Sequence, residues 1–492
     1  MSGIKALKIR SFKVGRVGFI ANALILLCMI SGCATGGSIG IPGIGAPKVS
    51  NPVQILPVSF RDSPPASMGD SARWWEQFAD PTLNQLVRDA LNENITVQVA
   101  YQRLKEARAT GRATIAGFAP RINFVASAST DYARDNQKLI TSSGELVDQQ
   151  TTGSQSFRAS WEVPLFGRLS SAISGARANE AGAAASLEGA KVAVIADLAA
   201  AYNELRNAQQ SLAFLREEAD RAQQLNAIAN EREANGLISL ADKGLIQGQA
   251  AQIKQKLPDA ELRVKAGLDR IAILRGVVPG SLDTLLIAIP DYKFNTQAPL
   301  VVEVPADFIR RRLDVKRAEQ DAILQAASVG IARADLYPSL SIVGTITTLS
   351  SLAGSPLAAS RELANTTPVI DIPLFNFGQR RASVRTSQAR FKQALLAYRS
   401  TTLNAIAEAQ TALSAYQQAR LRVVASLEGE TAAQVRYLAA LSGFKAGLIA
   451  YKERLDAESA LAAAKQTRLA SQAQLSDAAI GLYRTFAGSP GI

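Results

Sequence analysis

Between Pro164 and Pro258, and again between Pro373 and Pro490, this sequence contains no proline. Few features restrict a fold more, because only glycine is then left to interrupt a helix. The roughly 68 residues from Arg168 to Asn235, taken as one helix at 1.5 Å per residue, make a rod of about 100 Å. That is far longer than an ordinary globular helix. Within it Val194, Leu198, Ala201, Leu205, Ala208, Leu212 and Leu215 step alternately by four and three, the seam of a coiled coil, and Ile406, Ala409, Leu413 and Tyr416 echo it later. The apolar content is 47% with only 6% aromatic, mostly alanine and leucine, which suits helices packed closely side by side.

The second constraint is duplication. A shift of 218 places Val97 on Val315, Ala100 on Ala318, Gln102 on Gln320 and Pro120 on Pro338. Just past each proline the helical period gives way to alternation, with Ile122, Phe124 and Ala128 matched by Leu340, Ile342 and Ile346. A second alternating run follows in each half. It ends in EVPLFGR at Glu162 or DIPLFNFGQR at Asp371, and a shift of 209 superposes Trp161 on Ile370 and Pro164 on Pro373. Each half therefore reads as helix, hairpin, helix, helix. Turns at Gly236-Leu237-Ile238-Ser239 and Gly447-Leu448-Ile449-Ala450 correspond by a shift of 211, and each should present two exposed apolar residues after a glycine C-cap.

Four strands are too few to close a barrel in one chain, and each is followed by long helices. The economical solution is several chains contributing four strands each to one closed barrel, so that no edge is left in a membrane. A helix of about 100 Å is balanced by roughly 37 residues from Ser239 to Arg275 and roughly 33 from Pro305 to Tyr337. Between these lies a Pro-rich interruption. The expected division is a leader over 1–32, a tether over 33–70, a first repeat over 71–280, an equatorial linker over 281–304 and a second repeat over 305–488.

Lys5, Lys8, Arg10, Lys13 and Arg16 precede VGFIANALILLCMISGC, a basic segment and an apolar run too short to span a bilayer comfortably. This reads as a signal peptide. Its end, Ile30-Ser31-Gly32-Cys33, resembles a lipobox, which would make Cys33 the lipidated first residue of the mature chain and remove Cys28 with the leader. The following Gly-, Pro- and Ser-rich stretch reads as an extended tether. Removing the five leading cations from the net charge of +12 leaves +7 without a basic run, which does not favour nucleic acid.

With WWEQFADPTLNQLVRDALNEN, AAAYNELRNAQQSL, the PLFGR and PLFNFGQR pair, LDAESALAAAKQTRLASQAQL and IGLYRTFAGSP in this order, the chain resembles the TolC-type outer-membrane efflux family, in its lipoprotein branch associated with multidrug pumps. The resemblance covers about Trp74 to Gly488. It implies a mainly α fold with a transmembrane β-barrel: a homotrimer of twelve strands continuous with a twelve-helix periplasmic tunnel and an equatorial belt. By the same resemblance the protein is the exit duct of a tripartite pump in a Gram-negative outer membrane. Its partners would be outer-membrane lipid, a periplasmic membrane-fusion adaptor and an inner-membrane transporter of the RND type. The adaptor would meet the tips at Gly236, Leu237, Ile238, Gly447, Leu448 and Ile449. One departure stands out: Gly443-Phe444 occupy the place where the family often has Arg-Tyr.

Asp242 lies six residues past Gly236 and Glu453 six past Gly447, with Asp456 one helical turn beyond. Family members carry acids at these places, which implies a periplasmic gate of like-charged rings, with Lys452 or Arg454 linking to neighbouring helices in the closed state. Catalysis finds little support. The chain has no histidine, no P-loop and no serine nucleophile elbow, so neither an enzyme activity nor a cofactor is expected. Once the leader is removed Met68 is the only methionine, which favours organic cargo over copper or silver. A type I secretion duct and a non-conducting structural lipoprotein are the alternatives.

Overall fold

Asp80 opens the first long element in the way its sequence dictates. In this computed structural model, which describes residues 45–49, 73–133, 138–140, 146–287, 310–351 and 359–486, the Asp80 carboxylate accepts from the backbone N–H of Thr82 and Leu83, with Pro81 at the first helical position. The expected leader, Cys33, most of the tether and most of the equatorial linker lie outside the described residues. Helix α1 (Pro81–Glu93) buries Leu83, Leu86, Val87 and Ala90, and α2 (Ile95–Ala116) follows at once because Asn94 caps it. The other long helices are α3 (Arg168–Ala234), α4 (Leu240–Arg275), α5 (Leu313–Ala334), α6 (Gln379–Lys445) and α7 (Tyr451–Phe486), with β1 (Arg121–Tyr132), β2 (Gln149–Val163), β3 (Ser339–Ser351) and β4 (Ala359–Asp371) between them, and single helical turns at Trp74–Phe78 and Asp283–Leu286.

The chain divides into two compact units. The first holds the strands, in one antiparallel sheet of order β1-β2-β3-β4; a short ribbon pairs Leu139–Ile140 with Leu146–Val147. Alternation has the expected effect. Phe124 stands opposite Phe157, Phe157 opposite Ile346 and Ile346 opposite Ala364, one apolar row across all four strands. The two phenyl rings touch, with centroids 5.0 Å apart. On the other face Ser127 and Ser154 share a hydrogen bond at 2.8 Å, and Ser129 and Thr152 one at 2.9 Å. Within one chain the apolar row is uncovered, with Ile122, Phe124 and Phe157 more than half exposed. Strands of 12 to 15 residues exceed the roughly 9–11 that a tilted strand needs to cross a bilayer.

The strand register corrects one expectation. Ile122 pairs with Ala159 and Leu340 pairs with Ile370. If Ile122 corresponds to Leu340, a shift of 218, then Ala159 corresponds to Ile370, a shift of 211 and not 209. The turns after the second strands agree, since Phe166-Gly167 and Phe377-Gly378 both take left-handed backbone at matching places. A pleat repeats every two residues, so a two-residue offset leaves every side chain on the same face, and the sequence pattern cannot register it.

The second unit is helical. Helix α3 is one element of 67 residues, as is α6. Every member of the α3 seam except Ala208 is buried, and so are Ile406, Ala409, Leu413 and Tyr416. Two shorter helices, α5 and α4, lie along successive parts of α3. A Cβ placed on Gly175, Gly182 or Gly189 would meet α5 side chains at Ala327, Gln320 and Leu313, and one on Gly267 of α4 would meet Leu205. Glycines seven apart thus let α5 approach α3 along a single stripe. Helix α5 is 22 residues long; Arg312, just before it, pairs with Asp314 and Glu408 at 2.6 and 2.7 Å, and the expected start at Pro305 lies outside the described residues. The described piece of the tether is packed against this unit, with Val49 on the cluster of Val315, Tyr398 and Leu475.

Candidate functional site

Two helical hairpins carry the tip residues. Gly236 and Gly447 adopt φ of 71° and 72°, a conformation natural to glycine. In the first turn the N–H of Leu237 donates to the Arg232 carbonyl at 2.8 Å and that of Gly236 to Glu233 at 2.9 Å. In the second, Leu448 donates to Gly443 at 2.8 Å and Gly447 to Phe444 at 3.0 Å. The same Schellman motif therefore closes both helices. It leaves Leu237 and Leu448 at 71% and 79% exposure.

Of the two apolar residues expected to be exposed in each turn only the leucine is, although Leu240 at the start of α4 is exposed as well. Ile238 packs on the cluster of Ala229, Ile246 and Leu455, and half-buried Ile449 lies against Gly443. Ile238 lies at the seam between the two hairpins, where Leu455 of the second joins its cluster, whereas Ile449 folds back on the helix turn of its own hairpin at Gly443. Lys243 closes the first hairpin on Glu233 at 3.1 Å.

The three acids have different surroundings. Ser239 caps α4, and its Oγ both accepts from the Asp242 N–H at 3.1 Å and donates to Asp242 Oδ2 at 2.7 Å. Asp242 thus forms part of a helix start. Glu453 and Asp456 are both exposed, three residues apart on one face of α7. The structure brings these two together and leaves Asp242 on the other hairpin. Arg454, expected to reach a neighbouring helix, is turned into its own hairpin. It is buried, lies over the Tyr451 and Phe444 rings at 4.9 and 5.7 Å, donates to the Tyr451 hydroxyl at 3.2 Å, and stands 3.4 Å from Glu458. Phe444 and Tyr451 meet edge to face with centroids 5.4 Å apart. Aromatic packing therefore occupies the tip where the family often carries Arg-Tyr. Lys452 stays exposed.

Sequence reasoning missed a buried polar network. The Tyr202 hydroxyl donates to Asp80 Oδ2 at 2.6 Å and accepts from Arg206 at 3.0 Å. Arg206 also donates to Gln209 Oε1 at 2.8 Å and to the Leu286 carbonyl at 3.0 Å, which accepts from Gln209 Nε2 at 2.7 Å as well. Burial, with the Asp80 carboxylate as acceptor, pushes the Tyr202 phenol well above its ordinary range. Tyr202, Arg206 and Gln209, stepping by four and three like the apolar seam of the same helix, were the available signal. Both Asp80 and this stripe fall inside segments that carry the family resemblance.

The model of a protein family described as "Outer membrane efflux protein" matches residues 86–276 and 304–488. The sequence is 28% identical over 405 residues to Nodulation protein T of Rhizobium leguminosarum bv. viciae, covering 81% of this chain and 79% of that protein. It is 28% identical over 413 residues to the cation efflux system protein CusC of Escherichia coli O6:H1, covering 78% and 83%. The open-state MtrE outer membrane channel of Neisseria gonorrhoeae superposes with a TM-score of 0.76 at 22% identity, covering 92% of this chain and 98% of that one.

Proposed function

This chain belongs to the outer membrane efflux protein family, and from that premise we propose that three copies assemble into one passive duct whose far tips are engaged by a periplasmic adaptor. The protein is an outer-membrane efflux channel, the exit component of a tripartite system. The observation that carries the trimeric reading is a sheet with one apolar and one polar face that ends in two edge strands, β1 and β4, within the chain. A second copy at each edge satisfies the backbone that a membrane would otherwise leave unpaired. The duct performs no chemistry and draws its energy from an inner-membrane transporter, for which we favour the RND type. Small organic molecules are the cargo we favour, on the absence of histidine and the single methionine, Met68, left after the leader. A cation-efflux relative makes metal ions the competing cargo. Susceptibility profiles of a deletion strain against organic toxins and against copper or silver decide between them.

Reconstitution in planar bilayers tests the duct, and the acids test its gate. Exposed Glu453 and Asp456 repeated threefold would make rings of negative charge that attract cations and repel anions. Glu453→Ala and Asp456→Ala should therefore weaken blockade by trivalent cations and change single-channel conductance. Asp242→Ala should do less to blockade, since Ser239 already holds that carboxylate. Conductance and blockade equal to the original in all three variants would remove these residues from the gate. A protein that never conducts, even with its tips altered, would be a spacer.

Anchoring has its own test. Lipid on Cys33 aids sorting and assembly, while the strands supply most of the membrane hold. Cys33→Ser should lose labelled palmitate while the protein still fractionates with outer membranes. Unchanged labelling would reject Cys33 as the acylated residue.

A further inference from the structure

Two strand edges remain in the chain, and the internal repeat specifies how they meet. Hairpins β1–β2 and β3–β4 are equivalent under shifts of 218 and 211, by their cross-strand pairs and by the left-handed Phe-Gly turns after β2 and β4. The junction between the repeats pairs β2 with β3, so that Trp161 faces Ile342 and Ala159 faces Gly344. It therefore joins the second strand of one repeat to the first strand of the next. The edges left over, β4 and β1, are strands of those same two kinds.

We propose that β4 pairs with β1 of a second copy in the register of the internal β2–β3 junction, placing Ile372 opposite Phe124, Asp371 opposite Val125 and Ile370 opposite Ala126. The inference rests on the barrel reading above, and it fixes which residues meet. In this register the apolar faces run on without a break. Ile122, Phe124 and Ile370, with Ile372 and Leu374 just past the end of β4, are all more than half exposed in one chain and come to lie in one band, with Leu374 opposite Ile122. On the other face Asn365 falls opposite Asp131, polar against acidic. Pro368 is tolerated in β4 as an edge strand of the single chain, and in the assembled sheet it falls opposite Ala128, a small neighbour. A register taken instead from the PLF identity would slide every pair by two residues, putting Asp371 opposite Asn123.

Paired cysteines in the full chain distinguish the two. Directly opposed Cβ atoms lie about 4.5–5.5 Å apart and diagonal Cα positions about 7–8 Å, and a disulfide needs roughly 3.5–4.5 Å between Cβ atoms. With Asp371→Cys and Val125→Cys combined, mild oxidation of outer membranes should yield covalent dimers and trimers. With Asp371→Cys and Asn123→Cys combined, it should not. The reverse pattern would overturn this register and leave the trimeric barrel standing. Neither pair linking, in a protein that still migrates as a trimer, would overturn the β4–β1 junction. Neither pair linking in a monomeric protein would overturn both this inference and the trimeric reading on which it rests.

Discussion

Arg206→Ala is expected to destabilise the folded chain by about 3–5 kcal/mol, the range for removing one partner of a buried charged network. Arg206 is 1% exposed and holds three groups together: the Tyr202 hydroxyl, the Gln209 amide and the Leu286 carbonyl. Its loss leaves a cavity beside the Tyr202 ring, over which the guanidinium stacks at 4.8 Å. The Leu286 carbonyl would then keep only the Gln209 amide as a side-chain donor, while the Leu286 side chain stays buried in the core. Arg206→Lys keeps the charge but not the planar fork and should recover only part of the loss. Tyr202→Phe, which deletes a hydrogen bond to a carboxylate, should cost about 1.5–3 kcal/mol. Thermal melts of the purified proteins in one detergent measure all three. An Arg206→Ala protein that melts with the original would mean that the network contributes nothing to stability.

Leu237→Asp and Leu448→Asp are expected to abolish adaptor crosslinking and to lower efflux toward that of a deletion strain, with assembly unchanged. Because both leucines are largely exposed, the substitutions should alter folding stability by no more than about 0.5 kcal/mol. A central apolar anchor at an interface typically accounts for 2 kcal/mol or more, roughly thirtyfold in affinity. The two effects therefore separate cleanly. Ile238→Asp and Ile449→Asp provide the contrast, since those side chains are half-buried at the tips and their substitution should lower melting temperature as well as efflux. Normal efflux in both leucine variants would exclude these tips from docking.

Much of this protein was legible because its signals are local. A proline-free span with a four-and-three apolar step dictates a long helix whatever surrounds it, and α3 runs as one element from Arg168 to Ala234. Asp80-Pro81 is a helix start complete within four residues, and the two tip glycines close their helices through bonds spanning five residues or fewer. Alternation in the four strands likewise fixed which side chains share a face. The acids at Asp242, Glu453 and Asp456 were found by their distance from those glycines, although their different surroundings were not.

What the tertiary structure alone decided involves partners distant in sequence or degenerate in pattern. Ile238 and Ile449 turned inward because another hairpin or helix turn lay beside them, while the leucine preceding each stayed in solvent. Arg454 was drawn under Phe444 and Tyr451, and Arg206 was buried with a carbonyl 80 residues away. In neither case does the local period distinguish a buried arginine from a solvated one. The alternation of the strands could say which face is apolar but not whether Trp161 corresponds to Ile370 or to Ile372, because a slip of two residues preserves every inward and outward side chain. Only the hydrogen-bonded ladder between strands, which counts residues where the pleat counts pairs, removes that degeneracy.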